Sequence, residues 1–411
     1  MSNRIRLFKN FTALSTLQAT EYLLPLITIP YIIRVIGPEK FGLLAFATAF
    51  AMYFQMFTEY GLSYTATRDT AYNRNNKNKL EEIFNSVLAL KTVLLIISFI
   101  LFSAIVFFFE RFRSDSQIYL LTFGAVIGNS IFPSWLYQGL EKMKHLAVIN
   151  IATRLMYTLG ILIFVKEIND FAYIPLINAI CLIIGGSVAL LLIKKISSIR
   201  IRFPSLAHVR YWIKRGWHVS SATISMGIYL QSRTFILGLL TNNIIVGYYS
   251  LAEKLASIIN MFPLSAFLTT ITPWITTIYK KNKDAAISTL RKLQNATLIY
   301  FIAVVIFCLT FTEKIVSLFA GSAYTETVIA TRGLLIAVFF VGINALRMQQ
   351  FVIQGDDKRF SGINIIASVL GLVLTIVLTW LFSYTGTVAA FIAVAVFAWL
   401  ASVIKRKHEA E

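Results

Sequence analysis

The chain has 411 residues, 57% of them hydrophobic and 14% charged, with a mean hydropathy of +0.72, far more apolar surface than one soluble core can hide. A formal charge of +19 would suit a nucleic-acid partner in a soluble protein, but here the cations sit in the connections between apolar runs and report membrane topology instead, so no nucleic acid is expected. Both cysteines, Cys181 and Cys308, lie inside apolar runs as small packing residues, which implies neither a disulfide framework nor a metal site.

About twelve apolar runs are long enough to cross a bilayer as helices. In chain order they span 11–33, 41–64, 83–109, 117–138, 146–165 and 171–193, then 216–240, 247–277, 293–311, 328–353, 361–382 and 386–404. The first run follows Arg4, Arg6 and Lys9 as a signal peptide would, but it is too long and lacks a small-residue cleavage site, so it reads as a retained first helix. The fold class predicted is an all-α polytopic membrane protein.

Placing the termini and the even-numbered connections on one side gives that side about 26 of the 38 Lys and Arg, against about 6 on the other side and about 6 within helices. The heavy side is expected to be cytoplasmic, with both termini there. The longest connection on that side, 194–215, carries seven basic residues and Pro204 at the middle of the sequence and reads as a linker. The predicted organisation is therefore an N-terminal six-helix bundle at 1–193, a basic linker at 194–215, a C-terminal six-helix bundle at 216–404 and a cytoplasmic tail at 405–411.

An internal repeat fits two halves. Tyr137-Gln138-Gly139-Leu140-Glu141-Lys142 ends the fourth helix, and Ile353-Gln354-Gly355-Asp356-Asp357-Lys358 ends the tenth. The stretches 37–44 and 243–250 open the second and eighth. With six helices per half, the copies are predicted to point the same way through the membrane.

The string Pro30-Tyr31-Ile32-Ile33-Arg34-Val35-Ile36-Gly37-Pro38-Glu39-Lys40-Phe41-Gly42 resembles the signature at the end of the first helix in polysaccharide repeat-unit flippases. These are the Wzx-type O-antigen transporters of the multidrug/oligosaccharidyl-lipid/polysaccharide exporter superfamily. Tyr137-Gln138-Gly139-Leu140-Glu141 and Gly247-Tyr248-Tyr249-Ser250-Leu251-Ala252-Glu253-Lys254 are similar to two further stretches of that family. The resemblance implies two six-helix bundles around a central cavity that opens alternately to each side. Its implied substrate is an oligosaccharide linked by pyrophosphate to undecaprenol, moved from the inner to the outer leaflet of a bacterial inner membrane for O-antigen or a related surface polysaccharide. Implied partners are that lipid-linked oligosaccharide, membrane lipids and other polysaccharide-assembly proteins. No cofactor is implied, and the chain shows no phosphate-cradling loop, no zinc spacing among its histidines and no Ser/His/Asp set.

Function is expected where charge has no other reason to be in lipid, since a central Arg, Lys or Asp costs about 2.5 to 3.5 kcal/mol on insertion scales. Arg154, near the middle of the fifth helix, and Arg233, near the middle of the seventh, are the first substrate-binding candidates, because guanidinium pairs with phosphate in a bidentate fork. Lys91 and Lys254 are placed as assisting cations, with snorkelling to an interface as the competing reading. Glu21 and Glu253 are candidates for proton or sodium coupling, the alternative being that each neutralises a nearby cation. Arg34, Arg332 and Arg347 read as interfacial anchors, and Trp135, Trp212, Trp217 and Trp274 as an aromatic belt. Pro25 and Pro30, and Pro263 and Pro273, predict bends in the first and eighth helices.

Rival readings differ in what they need. A cation-coupled multidrug exporter of the same superfamily would favour carboxylates over arginines in its cavity. A peptidoglycan-precursor flippase would carry two more helices. A membrane enzyme of polysaccharide assembly would need an extracytoplasmic domain, whereas the longest outer connection, 312–327, is short and holds only Glu313 and Glu326 as acids. A scaffold would have little use for mid-membrane arginines.

Overall fold

The computed structural model describes residues 3–404 except 198 and 201, with side chains described outside 3–19, 21–22, 218, 222, 225–226, 229–230, 259–270, 272–273 and 357. Among these there is no strand. The helices in chain order are α1 (Asn3–Glu59), α2 (Leu62–Tyr72), α3 (Lys77–Phe108), α4 (Glu110–Arg113), α5 (Ser116–Ile131), α6 (Ser134–Gly139), α7 (Met143–Phe164), α8 (Tyr173–Ser197), α9 (Leu206–Leu240), α10 (Asn243–Lys281), α11 (Lys283–Thr310), α12 (Thr312–Ala320), α13 (Thr325–Gln354) and α14 (Asp357–Val403). A 3-10 turn at Ile168–Ala172 precedes α8. Eight stretches of described residues are long and apolar enough to cross a membrane. Two of these, Leu23–Tyr72 and Lys358–Val403, are 50 and 46 residues long, well beyond one crossing.

Non-helical residues divide those long stretches. Gly37, at φ 73, breaks α1, and Ser383, at φ 57, breaks α14. With α1 and α14 each counted as two and α5 with α6 as one, the described residues form twelve long helical segments, the number expected from the apolar runs. The backbone of α1 stays helical at Pro25 and Pro30, so the sharp break falls at the glycine rather than at the prolines. Side chains at Pro263 and Pro273 lie outside the described residues.

Polar caps set several starts. The side chains of Asn76, Asn242, Asn282 and Asp356 each accept from the backbone N–H three residues on, satisfying a donor that the first helical turn leaves open. The sides exposed between segments are apolar. On α14, Ile365, Val369, Val373, Ile376 and Trp380 recur at helical spacing and are exposed, a stripe that only lipid can solvate favourably.

The chain forms two compact units, Met1–Gln231 and Ser232–Glu411. In the first, α5 packs along α8, α1 along α7, and α2 along α6. Its core includes stacked and tilted aromatic pairs, Phe50 with Phe102 at 4.8 Å and Phe102 with Phe123 at 4.9 Å between ring centres. In the second, α13 is the central helix, packed on α14, α10 and α11 through buried Leu334, Leu335, Ala337 and Val338.

Two expectations are corrected here. Trp135 and Trp212 are 2% and 3% exposed and belong to one core cluster with Phe84, Leu136 and Tyr137, so they do not form part of an aromatic belt; Trp217 and Trp274 are exposed. The second and fourth helices are also broken, at Tyr60–Gly61, both with positive φ, and at Phe132–Pro133. Pro133 lacks the N–H a continuing helix needs, and Phe132 before it is extended.

The two Gln-Gly matches of the repeat have different physical causes. After α13, Gly355 N donates to Val352 O and Asp356 N to Phe351 O at 2.9 Å, with Gly355 at φ 78, a Schellman cap. After α6, Glu141 N donates to Gln138 O and Lys142 N to Tyr137 O at 2.8 Å, with Glu141 at φ 56. The same cap recurs, but it sets Glu141, not Gly139, opposite Gly355, so the sequence match is two residues out of register. Gly139 is instead a close-approach residue: a Cβ there would sit 2.5 Å from the Thr70 side chain and 2.9 Å from Thr67 O on α2. Around Gly355 a Cβ meets open space. Gly355→Ala should therefore cost only the backbone strain, roughly 1–2 kcal/mol, while Gly139→Ala must push α2 off α6. Thermal unfolding in detergent should show the larger loss of Tm for Gly139→Ala.

Candidate functional site

Polar residues recur every fourth position along the second membrane segment: Gln55, Glu59, Ser63 and Thr67. Four-residue spacing puts them on one helical face, and the alignment of side chains continues across the Tyr60–Gly61 break. Asn129 Nδ2 donates to Gln55 Oε1 at 3.1 Å. Glu59 accepts from Lys91 Nζ at 2.8 Å through Oε1 and from Ser63 Oγ at 2.6 Å through Oε2. Thr67 Oγ1 donates to Ser63 O at 2.5 Å.

Lys91 reaches this stripe from α3. It occupies a position in the buried row Leu80, Phe84, Val87, Leu94 and Ser98, and its side chain is 3% exposed. At that depth it does not snorkel; it is held in the unit by a carboxylate that sequence reasoning missed. The signal was present, since Glu59 with Gln55 and Ser63 repeats at helical spacing inside an apolar run.

In the second unit, Arg233 on α9 pairs with Glu253 on α10, Nη2 to Oε1 at 3.1 Å, and both are mostly buried. Thr234 Oγ1 donates to the other oxygen, Oε2, at 2.9 Å. The Arg233 guanidinium also lies over the Phe391 ring of α14, 3.9 Å from its centre, a cation–π arrangement that supports the positive charge on its apolar side. Two of the predicted residues, Arg233 and Glu253, are thus brought together. Lys254, one residue on and roughly 100° round the helix, is exposed.

Arg154 is placed differently. On α7 the exposed residues Val148, Ala152, Leu155, Leu159 and Ile163 form the stripe that faces lipid. Arg154 lies roughly 140° from that stripe and is nevertheless exposed. Its side chain therefore leaves α7 on a face other than the lipid-facing one. Glu21 lies outside the described residues. At the basic end of the first unit, Arg215 Nη2 pairs with Asp69 at 2.6 Å, and its guanidinium also donates to the Tyr211 hydroxyl at 2.7 Å, tying α9 to α2. Arg332 pairs with Glu313 at 3.0 Å on exposed ground.

Residues 7–279 match the family model described as polysaccharide biosynthesis protein. The chain belongs to that family. Among relatives of the polysaccharide biosynthesis family, it is 29% identical over 393 residues to a candidate O-antigen transporter of Escherichia coli (strain K12), covering 95% of this chain and 94% of that one. It is 24% identical over 249 residues to a second such protein, from Shigella dysenteriae, covering 60% of this chain and 62% of that one. Among solved structures, it is similar to the lipid II flippase MurJ in an inward closed conformation, with a TM-score of 0.75 at 14% identity over 97% of this chain and 86% of that one. It is likewise similar to an inward-facing multidrug resistance MATE family transporter of the MOP superfamily, with a TM-score of 0.72 at 15% identity over 95% and 96% of the two chains. At those identities the structural likeness establishes the fold: this member of the polysaccharide biosynthesis family is an all-α, multi-pass membrane protein.

Within that fold the arrangement has a simple chemistry. Each unit places a cation and a carboxylate in hydrogen-bond contact at membrane depth, Lys91 with Glu59 and Arg233 with Glu253. In the first pair the lysine is buried and the carboxylate is partly exposed. The second sits beside an aromatic face, and its guanidinium fork is the group best shaped to exchange a carboxylate for a phosphate oxygen.

Proposed function

We propose that this chain is a transporter that moves undecaprenyl-pyrophosphate-linked oligosaccharide repeat units from the inner to the outer leaflet of a bacterial inner membrane, with its basic connections and both termini in the cytoplasm. The observation that carries the reading is the Arg233–Glu253 pair. A guanidinium inside a membrane protein, paired with the Glu253 carboxylate and lying over an aromatic ring, suits an anionic cargo that binds and then leaves. Similarity to candidate O-antigen transporters over nearly the whole chain supports the sugar-linked nature of that cargo.

In this mechanism Glu253 and the cargo pyrophosphate compete for Arg233. Protonation of Glu253, or sodium binding to it, releases the guanidinium to the head group, and loss of that ion returns Arg233 to Glu253 and expels the cargo. The prenyl tail stays in lipid throughout, so only the polar part needs a passage, exposed alternately to the two sides. Arg154 serves as a second cation for the pyrophosphate or for acidic sugars. Lys254 assists from the exposed side of α10, and Lys91 supports the first unit through Glu59. Glu21 is a further coupling candidate. The work is binding and release, with no bond made or broken.

Deleting the gene should cause undecaprenyl-linked oligosaccharide to accumulate on the inner leaflet, read by extracting lipid-linked glycans and by loss of long-chain surface polysaccharide on gels. Unchanged lipid-linked glycan and unchanged surface polysaccharide would contradict the reading.

A further inference from the structure

A cavity of about 510 Å³ opens beside the lower end of the polar stripe, lined by Ser63, Tyr64, Thr67 and Arg68 of α2 and Gln138 of α6. Its size falls within the roughly 300–1,000 Å³ of small-molecule sites. It lies at the end of the first unit that carries the basic connections, where cargo made in the cytoplasm would arrive under the reading above.

The walls are built rather than incidental. In α6, Trp135, Leu136, Tyr137 and Gly139 are buried and Gln138 alone among these neighbours is exposed. Gly139 lets α6 approach α2 closely enough to set that amide beside Thr67. Tyr64 is 67% exposed, an apolar ring with a polar tip. Among the described residues, neither the Tyr64 hydroxyl nor the Gln138 amide has a hydrogen-bond partner in the chain.

The direction of the hydrogen bonds decides what fits. Ser63 spends its proton on Glu59 Oε2, and Thr67 spends its proton on Ser63 O, with Trp135 O also 3.3 Å away, so each hydroxyl oxygen has only lone pairs left to offer a ligand. Arg68 is a donor, and the Gln138 amide and Tyr64 hydroxyl can each donate and accept. A ligand must therefore both donate and accept. Sugar hydroxyls do both; a phosphate at neutral pH offers chiefly acceptors and would face the Ser63 and Thr67 lone pairs. Arg68 is also partly offset, its Nε lying 3.8 Å from Asp69 Oδ1. A pyrophosphate would call for more than one such compromised cation.

We propose that this cavity binds a sugar ring of the glycan cargo, with Tyr64 as the stacking platform and Gln138, Arg68, Ser63 and Thr67 reading its hydroxyls. It is a site for the sugar, separate from the cations assigned to the head group, and it rests on the transport reading above.

The test uses the full-length protein in lipid nanodiscs and two probes. One is the free oligosaccharide released from the producing strain's own surface polysaccharide; the other is inorganic pyrophosphate. By titration calorimetry the wild type should bind the oligosaccharide, Tyr64→Ala and Gln138→Ala should each weaken it about tenfold or more, and Tyr64→Phe should retain most of it. Pyrophosphate binding should be the same in all four, and equal Tm values separate binding loss from misfolding. Oligosaccharide affinity unaltered in Tyr64→Ala and Gln138→Ala, no oligosaccharide binding by the wild type, or pyrophosphate affinity that falls with Gln138→Ala would each overturn the proposal. These outcomes are distinct from failure of the transport reading, which the deletion strain reports by itself.

Discussion

Arg233→Gln should weaken binding of the pyrophosphate head group by roughly 10- to 100-fold and reduce surface polysaccharide accordingly at normal protein levels. A charge-assisted hydrogen bond contributes about 1.5–3 kcal/mol, and each 1.4 kcal/mol is tenfold in affinity. Arg233→Lys should recover part of the affinity, because it keeps the charge and loses the fork. Glu253→Gln should act in the opposite sense on binding. With the resident carboxylate neutralised, the cargo no longer competes with a full negative charge for Arg233, so affinity rises while turnover falls and loses its dependence on an ion gradient. Calorimetry with inorganic pyrophosphate and gel analysis of surface polysaccharide check both arms. If Arg233→Gln and Glu253→Gln both leave pyrophosphate affinity unchanged and lower Tm alike, the pair is structural and the competition mechanism is wrong.

Lys91 carries the second large effect, on stability. Its side chain is 3% exposed and its ammonium contacts Glu59 at 2.8 Å, so Lys91→Met leaves a mostly enclosed carboxylate that, among the described residues, keeps the Ser63 hydroxyl as its donor. Breaking a buried pair by removing one partner costs about 3–5 kcal/mol, and Glu59, at 29% exposed, places the expectation at the lower end. The double variant Lys91→Met/Glu59→Gln should recover much of the loss, since no uncompensated charge remains. Thermal unfolding of the purified variants measures this. A double variant that unfolds as early as Lys91→Met would show that the lysine acts by something other than pairing with Glu59.

The contrast between these residues explains what the sequence made legible. The twelve segments were readable because lipid leaves little choice: each crossing needs a long apolar run, and the polar connections between runs are short. Breaks inside the runs were harder. Pro133 and Gly37 announce theirs, but Ser383 adopts φ 57 with no glycine or proline at that position, and Tyr60 shares the positive φ of Gly61. Side-chain surroundings were least legible. Trp135 and Trp212 suit an interface by composition and are in fact core, because which side a helix turns inward depends on its neighbours. Depth along a helix singled out Arg233, Glu253 and Lys91, but not which carboxylate meets which cation. Arg233 and Glu253 lie near each other in sequence across one connection, whereas Lys91 and Glu59 are 32 residues apart and meet only through the packing of α3 on α1. Glu59 sits near the end of its apolar run, where a carboxylate is less conspicuous than at mid-helix.

In the proposed transport cycle, cations inside the membrane portion hold the negatively charged head group during its passage. Reconstituting the protein into liposomes with a fluorescent undecaprenyl-pyrophosphate-linked sugar on one leaflet, and following quenching by an impermeant reductant, measures that passage directly. The wild type should equilibrate the probe across the bilayer, and Arg154→Gln/Arg233→Gln, reconstituted to the same density, should leave it where it started. Movement by the double variant at the wild-type rate would contradict the account.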